Sequence, residues 1–168
     1  MKAVQEYFIG ITLPESLEKE VEKWRRKFDA PRTAPHITLI PPFKWGEGDQ
    51  LLAETVWRVT DRHGTFPISG SGVGSFGKKV LFINVEPSPN LLAFQSDLAE
   101  SLAGFGVPQE RRPYHPHITL ATRLTPNLFS VYRSLLDGYK PEFTFTFSGA
   151  TIFELKRTEN GQRWEIKK

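Results

Sequence analysis

The 168-residue chain contains no cysteine. Disulfides, thiol nucleophiles and cysteine-based zinc sites are therefore excluded. No run is long and apolar enough to span a bilayer, which takes about 20 residues. The start passes directly into Tyr7–Leu13 without the charged segment, apolar run and cleavage site of a secretory leader. These absences predict a soluble, cytoplasmic protein. There is no Gly-x-x-x-x-Gly-Lys-Ser/Thr loop to cradle nucleotide phosphates and no Gly-x-Ser-x-Gly nucleophile elbow. Neither sign of charge dominates: 22 Lys and Arg stand against 19 Asp and Glu, a net charge of +3. That balance suits an anionic substrate, but an ordinary basic enzyme looks the same. Histidine is scarce, with four in all, and the placing of two of them organises the chain.

Pro-His-Ile-Thr-Leu occurs at Pro35–Leu39 and again at Pro116–Leu120. On a β-strand, alternate side chains share a face. His36 and Thr38 then point one way, as do His117 and Thr119. Ile37, Leu39, Ile118 and Leu120 point the other way, into a core. Each strand would offer a cleft one titrating group and one hydroxyl.

The remaining pattern predicts alternating strands and helices. Glu6–Leu13 reads as a strand, and Pro14 opens a helix with Leu17, Val21, Trp24 and Phe28 on one stripe. The His36 strand is expected to stop at Pro41-Pro42. Asp49 can cap a second helix carrying Leu52, Val56 and Val59. Phe66–Phe76 and Val80–Val85 read as strands around a Gly77-Lys78 turn. Ser88 and Pro89 open a third helix that Gly104 ends. After the His117 strand, Thr125-Pro126 opens a fourth helix closing at Gly138. Phe143, Phe145 and Phe147 alternate as a strand. Asn160-Gly161 is a hairpin signal between Thr151–Lys156 and Arg163–Lys167.

This order repeats. His36 and His117 stand 81 positions apart, and Phe66-Pro-Ile-Ser-Gly70 matches Phe145-Thr-Phe-Ser-Gly149 at a distance of 79. The spacing predicts a duplicated α+β unit with pseudo-twofold symmetry and no linker, residues 1–168 forming one domain. A chain of this size buries roughly 70% of its unfolded surface and needs no staples.

Two histidines in equivalent places can divide proton transfer, one neutral and basic, the other protonated and acidic. Phosphodiester cleavage asks for that division. Thr38 and Thr119 can donate to non-bridging phosphate oxygens. No cofactor or metal is required. His115-x-His117 invites a metal reading with His36 as third ligand. The repeat, however, carries one histidine per unit and no carboxylate in register, so His115 reads instead as an entrance residue or a partner behind the site. His63, at a helix C-terminus, suits the helix dipole.

The paired His-x-Thr motifs, each preceded by proline, resemble the two-histidine (2H) phosphoesterase superfamily. Pro35–Phe43, His115–Ala121 and Gly74–Val85 resemble its bacterial 2'-5' RNA ligase/RNA 2',3'-cyclic phosphodiesterase-like branch, and the likeness runs from Tyr7 to Ile166. The resemblance implies a bilobal fold with two antiparallel-rich sheets flanking a central cleft and helices outside. It implies RNA-related cyclic phosphates or 2'-5' linkages as substrates, with His36 and His117 catalytic and Thr38 and Thr119 as phosphate ligands. Members of the branch often carry an arginine soon after the second motif. Arg123 is the candidate here, on the same strand face as His117 if the strand continues, with Lys44 a possible equivalent after the first motif. Phe43, Lys44, Trp45, Arg111, Arg112 and Tyr114 could contact RNA phosphates and bases, or could be solvated loops with anchoring aromatics.

The expected activity is hydrolysis of 2',3'-cyclic phosphates on RNA ends or nucleotides to 2'-phosphates. Any ligation would be its ATP-free reversal. The expected partner is such an RNA or nucleotide, bound by a monomer without membrane contact. Alternatives are a 2'-5' oligonucleotide or an ADP-ribose cyclic phosphate as substrate, or a non-catalytic RNA-end-binding module.

Overall fold

The computed structural model describes residues 3–30 and 33–167. The chain runs β1 (Gln5–Thr12), α1 (Glu15–Lys27), β2 (His36–Trp45), α2 (Asp49–His63), β3 (Phe66–Phe76), β4 (Val80–Val85), α3 (Pro89–Ala103), β5 (His117–Ala121), α4 (Pro126–Leu135), β6 (Glu142–Phe147), β7 (Thr151–Thr158) and β8 (Gly161–Ile166). The α+β class follows, because strands and helices alternate and every strand pair is antiparallel.

Helix starts obey local chemistry. Ser88 and Thr125 accept hydrogen bonds from the backbone N–H of Leu91 and Leu128, each with proline next in sequence. Asp49 is the first helical residue of α2, and the cap itself is Gly48, whose φ of 87° suits glycine. The expected stripes bury Leu17 and Val21 on α1, Leu52, Val56 and Val59 on α2, and Leu91, Phe94, Leu98 and Leu102 on α3. At the end of α2, Arg62 grips the Asp97 carboxylate of α3 through two nitrogens, and His63 Nε2 meets the same carboxylate at 2.8 Å. His63 thus ties two helices together.

The strands form one sheet in the order β6-β3-β4-β5-β2-β1-β7-β8. Where two sheets were expected, two four-stranded halves are continuous through a single pair, Ile37 opposite Ile118. The lobes are also not the two repeats. β3 and β6 match in sequence, yet they lie side by side, Phe66 opposite Phe147. The first repeat therefore gives its later strands to the second lobe, and β7 returns to pair with β1.

Pro41-Pro42 does not end β2. Tyr7 faces Phe43 and Ile9 faces Ile40, so two exposed prolines stand opposite Phe8 alone. A bulge leaves residues out of the ladder, and proline has no N–H to lose there. At the last hairpin the turn is Glu159-Asn160, one residue earlier than expected. Thr158 pairs with Gly161, which takes a φ of 113°.

One sheet face packs against the helices. Ile37, Leu39, Ile118 and Leu120 are 0–1% exposed there, as the alternation of the two motifs predicts. The other face carries the histidines and a second set of buried rings, Phe8, Phe82 and Phe153, outside the main core. Gly10 keeps this face open beside His36. A Cβ at Gly10 would stand 2.8 Å from the Ile37 carbonyl oxygen and 3.3 Å from His36 Cδ2. Because backbone cannot swing aside, Gly10→Ala should destabilise the fold by about 1–3 kcal/mol, read as a lowered urea midpoint with an unchanged slope.

Candidate active site

The two motifs adopt one local structure. In both, Pro, Ile and Leu are buried while His and Thr are half-buried. His36 Nδ1 lies 2.9 Å from the Ala34 carbonyl oxygen, and His117 Nδ1 lies 2.8 Å from that of His115. A carbonyl only accepts, so each Nδ1 carries a proton. Each Nε2 is left to gain or lose the second proton. Among the described residues, no hydrogen bond engages either Nε2 or the hydroxyls of Thr38 and Thr119.

The register at the lobe seam brings these groups together. With Ile37 opposite Ile118 in antiparallel sense, His36 lies opposite Thr119 and Thr38 opposite His117. Cross-strand neighbours stand about 4.5–5.5 Å apart and diagonal ones about 7–8 Å. The four side chains therefore occupy the corners of one patch, with the imidazoles on a diagonal.

Aromatic rings hold each imidazole. His36 lies 4.8 Å from Phe8 and 5.2 Å from Phe153, and those two phenyl rings stack at 4.4 Å. His117 lies 4.9 Å from Phe76 and 5.0 Å from Phe82. Burial pushes both imidazoles below their ordinary 6.5, and the carbonyl bonds oppose this. The charges of Arg25 and His117 lower His36 further, and His115 does the same to His117. Arg25 is itself buried, donating to Glu22 Oε1 at 2.8 Å and to the Thr33 carbonyl at 2.6 Å. It thereby fastens the segment that leads into His36.

Other expected contacts fall elsewhere. Phe43 is 6% exposed in the helix-side core, against Tyr7 and Trp45. The bulge fixes its parity, so it offers no stacking surface, and Trp45 is buried likewise. Lys44 is exposed opposite Glu6, six positions beyond Thr38, or about 20 Å along a strand. Tyr114 turns inward and donates to the Thr38 carbonyl at 2.6 Å. β5 ends at Ala121, and Arg123 occupies an exposed bend with a φ of 56°. The same-face argument for Arg123 needed a continuing strand and fails with it. Arg111, Arg112 and His115 are exposed before β5. The His115 ring stands 6.2 Å from His117 and 5.0 Å from Phe76. No three His, Cys, Asp or Glu side chains among the described residues come together as metal ligands.

Sequence reasoning missed Asn84, which lies opposite His117 on β4, and Phe82, opposite Thr119. The signal was present: an asparagine inside the apolar run Val80–Val85 marks the face turned away from the core. Phe76 is 38% exposed beside His117 and His115, whereas the other phenyl rings against the two histidines, Phe8, Phe82 and Phe153, are buried.

Residues 13–159 match the family model of the 2'-5' RNA ligase superfamily, and the chain belongs to that superfamily of 2H phosphoesterases. An RNA 2',3'-cyclic phosphodiesterase of Bacillus subtilis (strain 168) is 30% identical over 141 residues, covering 71% of this chain and 72% of that protein. One from Geobacillus stearothermophilus is 26% identical over 136 residues, 70% of this chain. The match takes in only 41% of the length of that relative. In fold, the chain resembles E. coli LigT complexed with 3'-AMP, with a TM-score of 0.67 and 22% identity over 99% of this chain and 97% of that one.

Proposed function

We propose that the protein is a metal-independent phosphodiesterase that opens 2',3'-cyclic phosphates of RNA ends or nucleotides to 2'-phosphates. The observation that carries this reading is the crossed placement of two His/Thr pairs, each imidazole with Nδ1 committed and Nε2 open. One histidine, neutral, takes a proton from water through Nε2 as the water oxygen bonds to phosphorus. The bond from phosphorus to the ribose 3'-oxygen breaks, and the other histidine gives its Nε2 proton to that oxygen. Thr38 and Thr119 donate to the non-bridging oxygens as charge grows on them. Phe76, in the place once expected of Phe43, offers a face on which a base can stack. Ligation would need a different nucleophile on the same cyclic phosphate: a 5'-hydroxyl in place of water bonds to phosphorus, gives its proton to the neutral histidine, and the 3'-oxygen leaves with the proton of the other, forming a 2'-5' linkage without ATP.

The test is a turnover assay on 2',3'-cyclic mononucleotides and cyclic-phosphate-ended oligonucleotides, beside a binding titration. Release of 2'-phosphate supports the reading. Binding without turnover would make the protein an RNA-end-binding module, and selective cleavage of 2'-5' dinucleotides or an ADP-ribose cyclic phosphate would move the substrate. Activity should be unchanged in EDTA. Loss on chelation, restored by one divalent metal, would overturn the two-histidine mechanism and bring His115 back as a ligand.

The pH dependence has a definite sign. Turnover needs one imidazole protonated and one neutral, so kcat/KM should be bell-shaped. Both imidazoles of the free protein titrate below 6.5, which places the kcat/KM optimum on the acid side of that value. A bound phosphodiester anion favours the charged imidazoles and raises both values. The kcat profile should therefore peak at higher pH than the kcat/KM profile. The limbs belong to the coupled pair, not to either residue. A rate that climbs steadily into alkali would contradict the assignment.

A further inference from the structure

We propose that Tyr114 is a positioning residue, whose hydroxyl aligns the two lobes and so sets Thr38 against His117. This rests on the phosphodiesterase reading above.

The argument starts at the seam. Among the described residues, β2 and β5 share one ladder pair, whereas every other neighbouring pair of strands shares at least four. The two His/Thr pairs straddle this weakest junction of the sheet. One ladder pair leaves two edge strands free to splay or twist. Two side chains from beyond β2 supply what the ladder lacks. Tyr114, on the approach to β5, donates to the Thr38 carbonyl at 2.6 Å, and Gln95 on α3 donates to the Leu39 carbonyl at 3.1 Å. Both acceptors lie on the segment of β2 that directly follows His36. Tyr114 and Gln95 thus anchor it to the lobe that carries His117.

The tyrosine is well suited to the task. Burial pushes its hydroxyl well above the ordinary value of 10, so it remains a protonated donor at any working pH. Its ring packs at the edge of the main core, which fixes where the hydroxyl points. Thr38 has its backbone held by Tyr114 and its side chain turned toward the phosphate. A small shift at this carbonyl is therefore a shift of the donor that meets developing charge. Such a loss falls on kcat more than on KM, because the interaction matters most in the transition state.

The decisive variant is Tyr114→Phe, which keeps the ring and removes the hydroxyl. On a 2',3'-cyclic nucleotide, kcat should fall about tenfold with KM within about twofold. In a Thr38→Ala background the same change should cost less, because part of the loss passes through Thr38. Backbone amide exchange along the β2–β5 seam should quicken, and Gln95→Leu should quicken it too. Unchanged kcat in Tyr114→Phe would overturn the proposal, as would an equal loss with and without Thr38. If the native protein turns over no cyclic phosphate, the phosphodiesterase reading fails on its own. Amide exchange then decides the seam: faster exchange in Tyr114→Phe supports the tie, and unaltered exchange removes it.

Discussion

Replacing His36 or His117 by alanine should lower turnover of a 2',3'-cyclic phosphate by about 10²–10⁴-fold, the range that positioned acid–base groups supply. Each ring holds its Nδ1 proton on a carbonyl two residues back, so only Nε2 is free to exchange one. Neither residue can do both tasks at once. Water must be deprotonated while the ribose oxygen is protonated, and one imidazole cannot occupy both sides of the phosphorus. The double variant should therefore lose little more than either single one, since the pair acts as a unit. Single-turnover rates measured across pH would check this. Each single variant should lose one limb of the bell. Near-native activity in either variant would end the pairing argument.

The second expected result concerns the hydroxyls. Thr38→Ala and Thr119→Ala should each cost about 10–1,000-fold in kcat, the scale seen when a transition-state donor is removed. Thr→Ser at the same positions should restore much of the rate, because serine keeps the hydroxyl. Thr→Val should not, although it preserves shape and the preference for a strand. The crossed register makes the two losses similar in kind, since each threonine stands opposite the histidine of the other motif. A serine variant as slow as the alanine variant would show that threonine serves only as a strand former.

Much of this site is legible in the amino-acid order because two rules act locally. Strand alternation alone sends His36 and Thr38 one way and Ile37 and Leu39 the other, and capping chemistry alone starts α3 at Ser88 and α4 at Thr125. What is not legible depends on pairings far apart in the chain. The bulge that carries β2 through Pro41-Pro42 is set by β1, and it decides that Phe43 is buried and Lys44 remote. Tyr114 looks like a loop aromatic until β2 is placed beside it. Arg123 follows its motif by an even number, but parity has meaning only while a strand lasts, and β5 ends two residues earlier. Asn84 reaches the patch only through the partner that β4 takes.

The route of the chain between lobes has a consequence for how such a molecule can be divided. β1 and β2 begin one lobe, β3 through β6 build the other, and β7 and β8 return to finish the first. No single cut therefore yields two self-sufficient pieces. A fragment ending after β4 would hold β1 without β7 and β3 without β6, so each of its sheet portions would expose a raw edge. Such a fragment could close those edges only by lending strands to a second copy of itself. The interleaving predicts that the two lobes unfold in a single urea transition rather than one after the other.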